Sequence, residues 1–249
     1  TFAQLVGSWN EIFPKSANII IILPPIIFLI SFLKDKLLIL FWLFLMLFFS
    51  GKLLINGLMD GILSLYFVAS ILLVYKISIT QNKDDKNLLY FVMFNFFAIL
   101  SLCKNEGPVM ILIILFSFTF VNFVYEKKIN YNIFLIALLS LLPFLFWKFL
   151  VIKNSAYFTL FEYEVGSPLT RFFNRVTNID DLGSILSYII KNEKLFLSII
   201  IFIFCSLKFF KSNKKLVFFV VLNFFLYFII LIGAFLIQPY DLILKLNMS

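Results

Sequence analysis

Four charged residues at the ends of long apolar runs are the best candidates for chemistry in this chain. Asp60 opens one run, Lys104 and Glu106 occupy the short link between two others, and Asp241 follows the last run. Charges beside a membrane core are costly, so those present there often serve a function. Structural explanations stay open for each: Asp60 can cap a helix, Asp241 can cap a helix or be an exposed tail residue, and Lys104 with Glu106 can form a solvated turn.

Arg171 and Arg175 are a second candidate site, because they lie one helical turn apart if their segment is helical. Two guanidinium groups at that spacing can hold a phosphate between them. The alternative is a solvated helix face or a contact with lipid headgroups.

The residue types exclude several kinds of chemistry. The chain has no histidine, which removes Ser-His-Asp and Cys-His catalysis and histidine metal ligands. Cys103 and Cys205 lie at or within apolar runs and are predicted to be buried thiols rather than a disulfide. The net charge of +8 comes from lysines spread over short loops, so it predicts membrane topology and not nucleic-acid binding.

The composition predicts an all-α, polytopic transmembrane helical bundle. Charged residues make up only 14% of the chain and 63% is hydrophobic, too little charge to cover a soluble domain. Unbroken apolar blocks favour helices over a barrel, and about eight of them approach the length of a membrane span. We predict a single transmembrane domain over residues 1–249. The predicted spans cover residues 17–33, 37–49, 58–75, 88–103, 108–125, 133–152, 195–210 and 216–237.

Residues 153–194 form the one long polar stretch and are predicted to be an external loop. Apolar residues between 179 and 190 fall on one helical face, with Asn178 as N-cap and Asp181 in the first turn. This pattern predicts an amphipathic helix at the membrane surface. An ordinary extramembrane helix packed on the bundle is the alternative.

The distribution of lysines sets the predicted orientation. Four short connections on one side hold eleven lysines: Lys34, Lys36, Lys76, Lys83, Lys86, Lys127, Lys128, Lys208, Lys211, Lys214 and Lys215. The short connections and tails on the other side hold only Lys15, Lys52, Lys104 and Lys245. Because basic residues concentrate on the cytoplasmic side, Asp60, Lys104, Glu106 and Asp241 are predicted to face outward. The predicted location is a bacterial inner (plasma) membrane.

These motifs resemble those of the later half of GT-C membrane glycosyltransferases, the relatives of dolichyl-phosphate-mannose protein mannosyltransferases. Residues 57–60 (Gly-Leu-Met-Asp) and 104–107 (Lys-Asn-Glu-Gly) each open an apolar helix at a spacing that fits the family. Residues 175–190 resemble the family's loop helix, and residues 239–249 resemble its C-terminal Pro-x-Asp-Leu segment. Lys245 stands where that segment has histidine.

The resemblance implies transfer of a sugar from a polyprenyl-phosphate donor to an acceptor at the outer face of the membrane. In such enzymes a carboxylate of the first external loop is the catalytic base. That loop is expected upstream of Thr1, in a longer protein of which this chain is a fragment. Basic groups, in some members with a divalent metal ion, hold the phosphate leaving group.

Roles carried over from the resemblance follow the motif positions. Lys104 is the candidate for the donor phosphate, and Glu106 for orienting Lys104 or binding sugar hydroxyls. Asp60 and Asp241 are expected to line the same outer cavity, which the loop with Arg171 and Arg175 covers. The implied partners are membrane lipid and the polyprenyl-phosphate sugar.

Two other classes of function stay open. A transporter, flippase or polymerase of lipid-linked glycans would place charges near the bilayer midplane and often shows an internal repeat. Here the charges lie at helix ends and no repeat is evident. A membrane assembly partner without chemistry of its own is the third class.

Overall fold

The computed structural model describes residues 12–32, 36–37, 39–40, 59–127, 130–153, 193–210 and 213–237, with the single residues 173, 177, 183 and 187. All regular secondary structure in these ranges is α-helical. The helices are α1 (Ile12–Ile30), α2 (Met59–Ile79), α3 (Lys83–Cys103), α4 (Gly107–Glu126), α5 (Tyr131–Ser140), α6 (Leu142–Lys153), α7 (Glu193–Phe210) and α8 (Lys214–Ile237).

Within the described residues, five helical segments are long and apolar enough to cross a membrane. They are Asp60–Ile79, Lys83–Cys103, Gly107–Glu126, Tyr131–Lys153 and Lys214–Gly233. Two shorter apolar segments lie in α1 and α7. The predicted all-helical class is confirmed and the chain is an integral membrane protein, while the count of about eight spans stays a prediction. The predicted span 37–49 and the external loop 153–194 lie almost wholly outside the described residues.

The exposed face of α4 indicates whether lipid or water surrounds this helix. Its buried face carries apolar residues such as Ile111, Ile114 and Phe118. Its opposite face carries Leu112, Phe116, Phe120 and Phe123, all exposed. A helix of a soluble protein would be polar on that face, so an apolar exposed face indicates contact with lipid.

Residues group into two compact units, Thr1–Phe146 and Trp147–Ser249. In the first unit, α3 packs against α2, α4 and α5, and α2 packs also against α1 and α4. One face of α2 is fully buried. The residues on this face follow helical spacing: Ile62, Tyr66, Ala69, Leu73 and Ile77. In the second unit, α7 packs against α8, where the stacked rings of Phe202 and Phe224 have centroids 4.4 Å apart. The prediction of a single domain stays a prediction.

Local sequence explains where the helices begin and end. Asn82 caps α3 by accepting a hydrogen bond from the backbone N–H of Asp84 at 3.1 Å. Asn213 precedes α8 and accepts one from the N–H of Leu216 at 3.1 Å. The predicted span 133–152 is divided at Leu141, because Pro143 has no N–H to continue the hydrogen bonding of α5.

Candidate functional site

The candidate site lies at the end of the first unit where α2 begins, α3 ends and α4 begins. We call this the Lys104 end and define it by Asp60, Lys104, Asn105, Glu106 and Gly107. Asp60 lies in the first turn of α2, Lys104 is the C-terminal cap of α3, and Glu106 is the N-terminal cap of α4. Because α2 and α3 are antiparallel neighbours, residues separated by 44 positions meet at one level.

An ion pair joins two of the residues predicted from the sequence. The Nζ of Lys104 donates a hydrogen bond to Oδ1 of Asp60. The side chain of Lys104 is 36% exposed and that of Asp60 is 56% exposed. Solvent therefore screens the pair, and exposed pairs of this kind contribute only about 0.2–1 kcal/mol to stability. Its partial exposure also leaves both charges accessible to a ligand.

The helix termini favour the charges that the pair carries. Asp60 sits at the N-terminus of α2, where the helix dipole stabilises an anion. Lys104 follows the C-terminus of α3, where the dipole stabilises a cation. The helix dipoles thus favour a negative charge at position 60 and a positive charge at position 104, independently of the contact between the two side chains.

Gly107 allows the link between α3 and α4 to be this short. Its N–H donates to the carbonyl oxygen of Lys104 at 3.0 Å, closing a turn. A Cβ at position 107 would lie 1.9 Å from the carbonyl oxygen of Leu100 and 3.1 Å from the Cα of Ser101. Only glycine permits this contact between the end of α3 and the start of α4, which holds Lys104 beside the first turn of α4.

Glu106 is exposed, and its side chain makes no capping hydrogen bond to α4. Its carbonyl oxygen accepts the first bond of that helix, from the N–H of Met110 at 3.0 Å. The carboxylate therefore faces the surroundings of the Lys104 end rather than closing the helix. It adds a second acid two residues from the ammonium group.

The other predicted site residues, Arg171, Arg175 and Asp241, lie outside the described residues. Within the described ranges, no three acidic or cysteine side chains are grouped closely enough to hold a metal ion. The site that can be described consists of one ammonium group, the carboxylate paired with it and the neighbouring Glu106.

Sequence reasoning placed Asp60, Lys104 and Glu106 at one end of the bundle, and the structure brings the first two into contact. The contact itself was missed, although a signal for it was present. Two antiparallel helices of 21 residues, joined by a short loop, bring residues about 44 apart to the same level. The backbone contact at Gly107 was also missed, since Gly107 followed by Pro108 indicates a turn and the start of a helix but no close approach of two backbones.

Protein-family models, curated proteins and solved structures were compared with the chain, and none of them matches it.

Proposed function

We propose that this chain is part of a membrane glycosyltransferase that moves a sugar from a polyprenyl-phosphate donor to an acceptor at the extracytoplasmic face. The observation that carries the proposal is the half-exposed Lys104–Asp60 pair at the end of the first unit where α4 begins. An ammonium group that solvent reaches is able to bind a phosphate as a point charge. The proposal rests also on the resemblance of residues 57–60 and 104–107 to the GT-C pattern.

In the proposed mechanism, the donor phosphate replaces Asp60 as the partner of Lys104. The positive end of α4 starts three residues after Lys104 and adds to the attraction for an anion. As the sugar leaves the phosphate, charge grows on the phosphate oxygens, and Lys104 stabilises that charge. The acceptor hydroxyl loses its proton to a base, which the family resemblance assigns to a carboxylate of the first external loop.

Distribution of charge along the first unit supports an extracytoplasmic location. Lys76, Lys83, Lys86 and Lys127 lie at the end opposite Lys104, since α2 ends there, α3 begins there and α4 ends there. Lysines concentrate on the cytoplasmic side of membrane proteins. The Lys104 end is then the outer one.

Sugar transfer by the full-length protein from a polyprenyl-phosphate donor tests the proposal. We expect Lys104→Ala to reduce transfer by at least about 100-fold, as expected for loss of a charge that stabilises the transition state. Lys104→Arg keeps the charge and should retain more activity than Lys104→Ala. The matched control is Lys83→Ala, which removes an exposed lysine from the start of the same helix and should leave transfer unchanged.

The proposal fails if Lys104→Ala and Lys83→Ala transfer sugar equally well in protein that is folded to the same extent. Movement of an intact lipid-linked glycan across vesicles, with no change in its glycosidic bonds, would instead assign the chain to the transporters.

A further inference from the structure

The hydroxyl of Tyr66 bonds to a backbone carbonyl of α1 that has no helical N–H partner, because a proline occupies the position of the donor. Pro25 has no N–H, so the carbonyl oxygen of Ile21, four residues earlier, cannot accept the helical hydrogen bond. Tyr66 of α2 donates its O–H to that same oxygen at 2.6 Å. In a membrane, a carbonyl freed by proline must find a partner elsewhere, because no water is at hand.

We propose that the hydroxyl of Tyr66 replaces the amide that Pro25 lacks and thereby fixes α1 against α2. This role does not depend on the reaction catalysed. The bond lies six residues, or about 9 Å of helix, from Asp60. It therefore anchors α1 to the same helix that carries Asp60.

Packing around Tyr66 holds the hydroxyl in place. The side chain is fully buried, and its ring meets that of Phe96 edge-on with centroids 5.2 Å apart. Phe96 also meets Phe28 of α1 edge-on at 5.7 Å. One ring of α3 thus touches both α1 and α2, so that three helices help to fix the geometry of the hydrogen bond.

The two adjacent prolines of α1 differ in their surroundings and supply an internal control. Pro25 is buried, whereas Pro24 is exposed. Pro24 frees the carbonyl of Ile20, which is not the oxygen that Tyr66 contacts. Removing either proline restores one helical amide, but in α-helical geometry the amide at position 25 pairs with the oxygen of Ile21 and the amide at position 24 pairs with that of Ile20.

A double-mutant cycle on the full chain in detergent tests the proposal by equilibrium unfolding. We expect Tyr66→Phe to lower the ratio of folded to unfolded protein by about tenfold, because it leaves the carbonyl oxygen of Ile21 without a donor. In the Pro25→Ala background the same change should cost less than about threefold, since the new N–H serves that carbonyl. In the Pro24→Ala background the full tenfold loss should remain. Tyr131→Phe alters an exposed tyrosine and should have no effect.

Equal losses from Tyr66→Phe in all three backgrounds would overturn the proposal, as would no loss in the parent chain. If Tyr66→Phe does not fold, recovery of folding by Pro25→Ala but not by Pro24→Ala would support it. Recovery of folding by both proline substitutions, or by neither, would contradict the proposal.

Discussion

The two ends of the first unit are built from the same helices but use charge differently. At the Lys104 end, an ion pair joins two residues that are 44 positions apart in sequence, Lys104 and Asp60. At the opposite end, which we call the Lys83 end and define by Lys76, Lys83, Lys86 and Lys127, three of the four lysines are exposed. Charge at the Lys83 end fits a role in orienting the chain in the membrane, whereas charge at the Lys104 end forms a local site.

The link between α2 and α3, at the Lys83 end, is also built differently from the link between α3 and α4, at the Lys104 end. The link from α2 to α3 is capped locally, by the side chain of Asn82 on the N–H of Asp84. The link from α3 to α4 depends on direct backbone contact at Gly107. A cap can be replaced by other polar residues, but the contact at Gly107 excludes every other side chain. The Lys104 end is therefore the more constrained of the two.

Replacing Gly107 with alanine is expected to have the largest effect. The added Cβ overlaps the carbonyl oxygen of Leu100, so α3 and α4 must separate. We expect the free energy of unfolding to fall by about 3 kcal/mol, measured by denaturation in mixed detergent. Gly233→Ala is the matched control, since a Cβ there meets nothing within 4 Å and should be tolerated. Equal stability of the two variants would show that the link is not constrained.

Exchanging the charges of the Asp60–Lys104 pair is expected to have a smaller effect. Asp60→Lys and Lys104→Asp each place like charges together, and each should lower the free energy of unfolding by about 0.5–1 kcal/mol at this exposure. The double exchange should recover only part of that loss, because each charge now opposes the dipole of its helix terminus. Full recovery would mean that the helix dipoles contribute nothing measurable. No recovery would mean that the two side chains do not interact.

Removing a lysine at the Lys83 end is expected to have the smallest effect. Lys83→Ala and Lys76→Ala each delete an exposed charge and should change the free energy of unfolding by less than about 0.5 kcal/mol. The Nζ of Lys76 lies 5.9 Å from the ring centroid of Phe32. Lys76→Ala should therefore lower the free energy of unfolding slightly more than Lys83→Ala does. If Lys83→Ala lowered the free energy of unfolding by more than about 1 kcal/mol, the two ends would not differ in how charge contributes to stability.

The sequence predicts the described helices well because hydropathy determines them. The predicted span 58–75 corresponds to α2 (Met59–Ile79), and 108–125 to α4 (Gly107–Glu126). The predicted span 88–103 begins five residues late, since the polar residues after Asn82 form the first turn of α3. Hydropathy detects the part of a helix inside the membrane and not the capped turn that extends beyond it.

Helix lengths indicate that Asp60 and Lys104 lie at the same level of neighbouring helices, but not that their side chains touch. Pairing of Asp60 with Lys104 depends on how α2 and α3 pack, and the apolar runs alone do not fix that rotation. The bond from Tyr66 to the carbonyl of Ile21 joins residues 45 apart and involves a backbone atom, which no side-chain pattern marks. The adjacent prolines of α1 identify backbone carbonyls that lose their helical partner, but not the residue of another helix that compensates for one of them.

Cysteine labelling of intact cells tests most directly the claim that the Lys104 end is the outer one. Asn105→Cys and Gln81→Cys, each in a chain with Cys103 and Cys205 changed to serine, place exposed thiols at the two ends of the first unit. A membrane-impermeant maleimide should label position 105 in intact cells and position 81 only after the membrane is opened. Labelling of position 81 but not of position 105 in intact cells would show that the topology is the reverse of the one predicted, and would contradict an extracytoplasmic site.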